Sequence, residues 1–458
     1  MEFQHALCVY PYQKDLKKFR FIPPLGLEFI AKAIAPYSKA LDVIDLRYES
    51  KRTLDFFRPD TDMVCFSVNW QRRVKFVREE IMSVPPDVFT VIGGRHATED
   101  PEGWLTSCPN LDAVVRGDGE EVMEDLCKGV PFENIDGLSF RNGGGVIHNP
   151  VRKLGPLKDF VYPNRKLRRY TYEIELQNIS TGVEMDMFSA SRGCPFNCTF
   201  CSFNFNPWGE KRNWSGRSPE SIVQELSEIK APIVGFSDET FTHNAERVAH
   251  ICDLILERGI RKKYVINARL EIARRPDVIR KMERAGFAML LLGIESAHDK
   301  TLRSMRKGFD TAKIREYFEV LRESSMLLHG YFIVGNIGES FAEMEQILPF
   351  ARELGLDTVN LTLLRNSPYS GLDEILAQNP DYHVTPTGKV YSDHCSIEEL
   401  KRLRRKLSKE FYSRRHFLSI LNKMRRSGLL KLFLSPRSSQ PARLVYNLLK
   451  ARLTNSQP

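Results

Sequence analysis

Three cysteines, Cys194, Cys198 and Cys201, stand in the stretch 191–201, Ser-Arg-Gly-Cys-Pro-Phe-Asn-Cys-Thr-Phe-Cys. A thiolate is a soft ligand that suits zinc or iron. Closed structural zinc takes four Cys or His ligands, and the nearest histidine downstream is His243. A cubane of four irons and four sulfides also prefers four thiolates. A loop that supplies three therefore leaves one iron open to a small molecule. Merely buried thiols, the plainest alternative, rarely crowd one loop marked by Gly193 and Pro195.

The elements that must position this loop follow from periodicity. Over residues 1–150, short apolar segments at Ala6–Tyr10, Leu41–Leu46, Met63–Val68, Phe89–Ile92 and Ala113–Val115 read as strands. Helical patterns at Leu25–Ile34, Arg72–Met82 and Glu120–Cys127 lie between them. The order predicts an α/β, Rossmann-like domain, a parallel sheet with helices on both faces and ligands beyond the strands' carboxyl ends. Gly93-Gly94 and Gly117-Asp-Gly119 fall at such ends, where a plain turn is the simpler reading. Residues 151–181, with Pro156, Pro163 and the basic run 165–169, read as a linker.

Residues 182–370 repeat a strand-helix unit six times. Strands are expected near 185–191, 232–236, 264–268, 289–294, 329–334 and 358–363, and helices at 218–229, 245–258, 277–285, 311–323 and 341–354. Six units predict a partial (β/α)6 barrel, which places chemistry at its strands' carboxyl ends. The cysteine loop begins where the first of these strands ends. Residues 371–458 read as a basic, helical carboxyl-terminal region.

A chain of 458 residues, 42% apolar, suggests two or three domains. Six further cysteines lie scattered without the pairing of a secreted scaffold, which fits a reducing cytoplasm. The sequence shows neither a signal peptide nor an apolar run of about 18 residues. From Ser396 onward, 16 Lys or Arg face three acids, so this tail carries +13 and the rest of the chain about −4 of the net +9. A basic patch confined to one segment points to one docking surface, and argues against a chain that engages nucleic acid over its whole surface.

Cys194, Cys198, Phe200 and Cys201 form Cys-x-x-x-Cys-x-aromatic-Cys, which resembles the hallmark of the radical S-adenosylmethionine superfamily. The resemblance implies a [4Fe-4S] cluster on the three cysteines, with S-adenosylmethionine chelating the open iron. One electron then cleaves the sulfonium to give a 5′-deoxyadenosyl radical. Later strand ends look like the family's further segments. In Gly235-Phe-Ser-Asp-Glu-Thr-Phe241, Asp238 or Glu239 would accept from the cofactor's ammonium; for Asp238 the alternative is a carboxylate offsetting a helix dipole. Asn267 and Arg269 would reach the cofactor's carboxylate or ribose. In Gly293-Ile-Glu-Ser296, Glu295 would bind ribose hydroxyls and Gly293 would permit close approach. Gly330–Gly335 and Gly338-Glu339 resemble the fifth-strand segment.

The amino-terminal half resembles the cobalamin-binding module of one subgroup, through Ile22-Pro-Pro-Leu-Gly-Leu27, Ile92-Gly-Gly-Arg-His-Ala-Thr98 and Val115-Arg-Gly-Asp-Gly-Glu-Glu121. That subgroup includes anaerobic magnesium-protoporphyrin cyclases, hopanoid-modifying enzymes and carbon methyltransferases. Cobalamin is thereby implied, with Ser67, Gly93, Gly94 and His96 bordering it. The Asp-x-His-x-x-Gly element that gives cobalt a histidine is absent.

The function implied is methylation of an unactivated carbon; oxidative cyclisation by the same cofactors is the alternative, and a one-electron donor such as flavodoxin or ferredoxin is expected. A noncatalytic iron-sulfur or zinc protein whose tail docks nucleic acid is the rival from another class. Leu400, Leu403, Leu407 and Phe411 at helical spacing among basic residues suit an interfacial helix on anionic lipid. They suit a helical cap on the barrel equally. The first reading predicts a lipophilic small-molecule substrate met at the inner face of the membrane.

Overall fold

The computed structural model describes residues 2–13, 20–71, 73–159, 161–176, 179–201, 211–367 and 370–434. They divide into two compact units, one mainly of residues up to 156 with 161–179, the other mainly of 180–201 and 211–434.

In the first unit, β1 (Phe3–Tyr10), β2 (Ser38–Asp45), β3 (Thr61–Ser67), β4 (Phe89–Gly93), β5 (Ala113–Val115), β6 (Leu138–Asn142) and β7 (Gly145–His148) form one sheet, ordered β2-β1-β3-β4-β5-β6-β7. The first five are parallel. Their apolar runs are buried on both faces, as helices on each side of a parallel sheet require. The expected wholly parallel sheet is corrected at its edge: β6 pairs antiparallel with β5, and β7 with β6. Only the first three residues of β6 are buried and none of β7, so the hairpin left little apolar signal in the sequence.

The segment expected to be a linker is packed. Arg168 pairs with the buried Glu28 at 2.5 Å, the Tyr172 hydroxyl donates to Asp45 at 3.2 Å, and Glu173–Leu176 form a strand, β8. Ion pairs and a phenol, not an apolar period, hold it down, so hydrophobic patterning passed over it.

The second unit holds six parallel strands: β9 (Ile179–Phe188) and then, beyond the short antiparallel pair β10 (Ser191–Arg192) and β11 (Ser215–Gly216), β12 (Ile233–Phe236), β13 (Lys263–Ala268), β14 (Phe287–Glu295), β15 (Leu327–Val334) and β16 (Thr358–Leu363). The spatial order β9-β12-β13-β14-β15-β16 follows the chain, as right-handed crossovers with intervening helices dictate. The helix expected over 341–354 is two, Phe341–Glu345 and Ile347–Glu353. Pro349 lacks the N–H that would continue the first into the second.

The tail settles one of its two readings. The helix Ile397–Phe411, opened by a Ser396–Glu399 capping box, buries Leu400, Leu403, Leu407 and Phe411 to 2% exposure or less in the core of this unit. The interfacial lipid helix is therefore corrected to a cap: its apolar face is already covered by protein. The following helices, Arg414–Arg426 and Leu429–Phe433, meet the amino ends of the strands. His416 Nε2 lies 2.8 Å from the Asp357 carbonyl, and Lys423 Nζ lies 2.8 Å from Asp357 Oδ2, just before β16. This part of the basic tail thus sits at the sheet end opposite the cysteine loop. Residues 435–458 lie outside the described residues. No helix among the described residues is long and apolar enough to cross a membrane.

Candidate cluster and cofactor site

The cysteine loop leaves the carboxyl end of β9 through Gly193, whose φ is +84°. A Cβ there would stand 2.5 Å from the Asn213 carbonyl oxygen, so only glycine makes this turn. The Gly193 amide donates to Glu239 Oε2 at 3.0 Å, which ties the loop to the end of β12. Cys198 is buried, and Cys194 and Cys201 are partly exposed. Burial raises the Cys194 thiol above its ordinary range, while the Arg269 cation opposes that rise. The Arg269 guanidinium lies 3.7 Å from the centre of the Phe196 ring. Among the described residues, no three His, Cys, Asp or Glu side chains converge on a single ion.

Successive strand ends bring charged groups to this loop. Glu239 is largely buried, and burial raises its carboxyl pKa. Arg269 follows β13, is held by Glu271 at 2.6 Å, and donates to the Lys307 carbonyl at 2.8 Å. Glu295 ends β14 at a break in register with β15, with φ +76°. A bulge re-aims a side chain, and a left-handed glutamate is a strained conformation of the kind concentrated at functional sites. Its carboxylate, 8% exposed overall, meets Lys307 Nζ at 3.3 Å. Burial raises the Glu295 pKa, and the Lys307 charge counters this. A Cβ at Gly293 would lie 2.6 Å from Glu295 Oε1 and 3.2 Å from Lys307 Nζ, so that glycine makes room for the pair. Lys307 was missed in the sequence. It sits in an Arg-Lys-Gly stretch that reads as exposed turn, and only the fold turns it inward.

Two predicted residues brace the cysteine loop. Asp238 is 0% exposed. It accepts from the Ser191 hydroxyl and, at 3.0 Å, from the Ala190 amide, so it braces the start of the cysteine loop. Asn267 donates to the Asp238 carbonyl at 2.9 Å, supporting the same brace. Burial pushes the Asp238 carboxyl up to about 6. Because the folded state then holds a proton that the unfolded chain has lost, stability falls as pH rises from about 4 to about 6, by roughly 3 kcal/mol in total. Asp238→Asn keeps a side chain able to accept from Ala190 and to meet the Ser191 hydroxyl. Paired urea melts should show wild type losing stability relative to this variant across that window and not above it. Parallel pH curves would refute the assignment.

In the first unit, Ser67, Gly93, Gly94 and His96 gather at the ends of β3 and β4 as the sequence indicated. Asn69 joins them, donating to Ser67 Oγ at 2.9 Å and accepting from the Arg95 amide at 3.1 Å. Gly94 has φ +100°, and a Cβ would stand 2.6 Å from Asn69 Oδ1 and 2.9 Å from the Val68 carbonyl. The turn itself therefore requires that glycine. Gly93 would tolerate a side chain, its nearest neighbour being Val115 at 3.5 Å. His96 is edge-on to Trp104, with ring centres 5.7 Å apart. Its Nδ1 is buried without a hydrogen bond, 3.9 Å from Glu99. Gly117, at the end of β5, has nothing within 4 Å of where a Cβ would be.

Residues 188–351 match the Radical SAM superfamily. An uncharacterised methyltransferase of Pyrococcus horikoshii, PH0819, is 29% identical over 86% of this chain and 88% of its own length. The hopanoid C-3 methylase of Methylococcus capsulatus is 28% identical over 80% of this chain and 71% of its own. The anaerobic magnesium-protoporphyrin IX monomethyl ester cyclase of Cereibacter sphaeroides is 28% identical over 64% of this chain, which spans about half of that protein (49%). In fold, the chain is similar to the radical S-adenosylmethionine methyltransferase TsrM of Kitasatospora setae, solved with cobalamin and a [4Fe-4S] cluster, at a TM-score of 0.65 and 17% identity over 84% of this chain and 76% of that one.

Proposed function

From the premise that this chain is a radical S-adenosylmethionine enzyme, we propose that it methylates an unactivated carbon of a lipophilic small molecule with the help of cobalamin. The observation that carries the radical chemistry is the three-cysteine loop at the end of β9, ringed by Glu239, Arg269, Glu295 and Lys307 from the following strand ends. S-adenosylmethionine is a zwitterion with a ribose, and it needs acceptors for its ammonium and hydroxyls and a cation for its carboxylate. Glu239 and Glu295 supply the first and Arg269 and Lys307 the second. When bound, cluster and cofactor supply a 5′-deoxyadenosyl radical, and the protein's task is to bind, orient and shelter.

Cobalamin is supported by the amino-terminal unit. Its strand ends carry Ser67, Gly93, His96 paired with Glu99, and Gly117 with nothing within 4 Å of where a Cβ would be. The similarity to TsrM and the methyltransferase names of two relatives favour methyl transfer. The lipophilic substrate rests on the hopanoid relative and not on the helix Ile397–Phe411, whose apolar face is buried. Cyclisation is the second reading, favoured by the protoporphyrin cyclase relative.

Anaerobic reconstitution with iron, sulfide and hydroxocobalamin, followed by dithionite and S-adenosylmethionine, tests both cofactors. Release of 5′-deoxyadenosine and retention of corrinoid through gel filtration are expected. Loss of corrinoid with deoxyadenosine still formed would remove cobalamin from the proposal and leave the radical domain standing.

A further inference from the structure

The helix that follows the cap is incompletely covered. Along Arg414–Arg426, every side chain from His416 to Arg426 keeps some exposure, including the apolar Phe417, Leu418, Ile420, Leu421 and Met424. Leu418 is 66% exposed, the highest value for a large apolar side chain among the described residues, and Leu434, just past Leu429–Phe433, is 47% exposed. In the cap, by contrast, the corresponding leucines are almost wholly buried.

One edge of this helix is anchored. His416 and Lys423, two turns apart, share that edge and hold Asp357. Leu418, Leu421 and Arg425 recur at helical spacing on the opposite side. The charge there has a single sign: from Phe411 to Leu434 the sequence has six Lys or Arg and no Asp or Glu. Lys423 is engaged by Asp357. Arg425 lies 3.3 Å from Asn422 Oδ1 of its own helix, and among the described residues neither it, Arg426 nor Lys431 meets a carboxylate. In the cap, Lys401 and Lys406 each meet a glutamate.

We infer that the outer face of Arg414–Arg426, with Leu418 and Leu421 beside Arg425, Arg426 and Lys431, docks the chain on an anionic lipid surface. Leucines can enter the acyl boundary of a bilayer while neighbouring cations meet the phosphates of its headgroups. A nucleic-acid duplex would engage the cations and leave Leu418 in water. A second copy of this chain would bring the same positive charge against the same face. Asp357 precedes β16, and Lys263, which opens β13, stands beside Gly428, so the docking face lies at the amino ends of the strands. The cysteine loop is at the other end. The surface therefore anchors the chain and does not feed the site.

Sedimentation of the full chain with equimolar phosphatidylglycerol–phosphatidylcholine vesicles and with pure phosphatidylcholine vesicles tests this, independently of the reaction. Wild type should pellet with the first, stay in solution with the second, and be released by high salt. The triple variant Arg425→Glu, Arg426→Glu, Lys431→Glu should bind about a hundredfold more weakly, at about fivefold per charge. Leu418→Ser should bind about tenfold more weakly. All four side chains are exposed, so urea midpoints should match wild type. Equal pelleting with the two kinds of vesicle, pelleting with neither, or variants that bind as wild type does would overturn the inference. Tighter retention on duplex DNA, undiminished by Leu418→Ser, would overturn it in favour of nucleic acid. Dimerisation in solution that Leu418→Ser abolishes would overturn it in favour of a second copy.

Discussion

Cys198→Ala is expected to reduce reconstituted iron and sulfide from about four of each per chain to background, and to abolish 5′-deoxyadenosine formation. The reason is stoichiometric. On the proposed cluster one iron is reserved for the cofactor, so three thiolates are the fewest that fill the remaining corners, and a cluster on two would lose a second iron to solvent. Cys198 is the buried member of the loop, so no outside thiol can take its place. The fold should survive, because the loop is also held by the Gly193–Glu239 and Ser191–Asp238 contacts, neither of which passes through sulfur. Far-UV circular dichroism should therefore match wild type. If the variant keeps its iron and still cleaves S-adenosylmethionine, the cluster is held elsewhere.

The second large effect lies far from that chemistry. Phe411→Ala should lower unfolding stability by about 3–5 kcal/mol, the usual range for emptying a buried aromatic site. Phe411 is 2% exposed, and its ring centre lies 4.7 Å from that of His416 and 5.0 Å from that of Tyr412. The large cavity reflects the helix's place as a cap laid against β16. Leu403→Ala should cost about 2–5 kcal/mol for the same reason. Denaturant midpoints would check both. A helix resting on lipid would behave differently: the same changes would leave stability in solution nearly untouched and would reduce pelleting with anionic vesicles.

Much of the barrel was legible because its signals are local. A strand buried on both faces writes a continuous apolar run, as Ala288–Leu292 does within β14, and its amphipathic neighbour writes a period of 3.6, as the helix Pro276–Ala285 does. The cysteine motif was equally plain, since a cluster loop must present its ligands at close spacing. Signals of other kinds were lost. The edge hairpin β6–β7 buries too little to show a pattern. The 151–181 segment is fixed by Arg168, Tyr172 and their distant carboxylates. The tail's spacing served a lipid surface and a protein core alike, because both present the same apolar demand.

The chain alone determined that three thiolates would share one loop and that this loop would follow the first strand of a parallel array. Those facts depend on residue type and short spacing, which the sequence states directly. Tertiary structure decided what surrounds the loop. It sent Asp238 inward as a brace, turned Glu295 through a bulge onto Lys307, buried the leucines of the cap, and left Leu418 of the next helix exposed. Each of these outcomes is a competition among groups far apart in the chain for limited hydrogen bonds and limited buried space, and that competition is resolved only when the strands assemble.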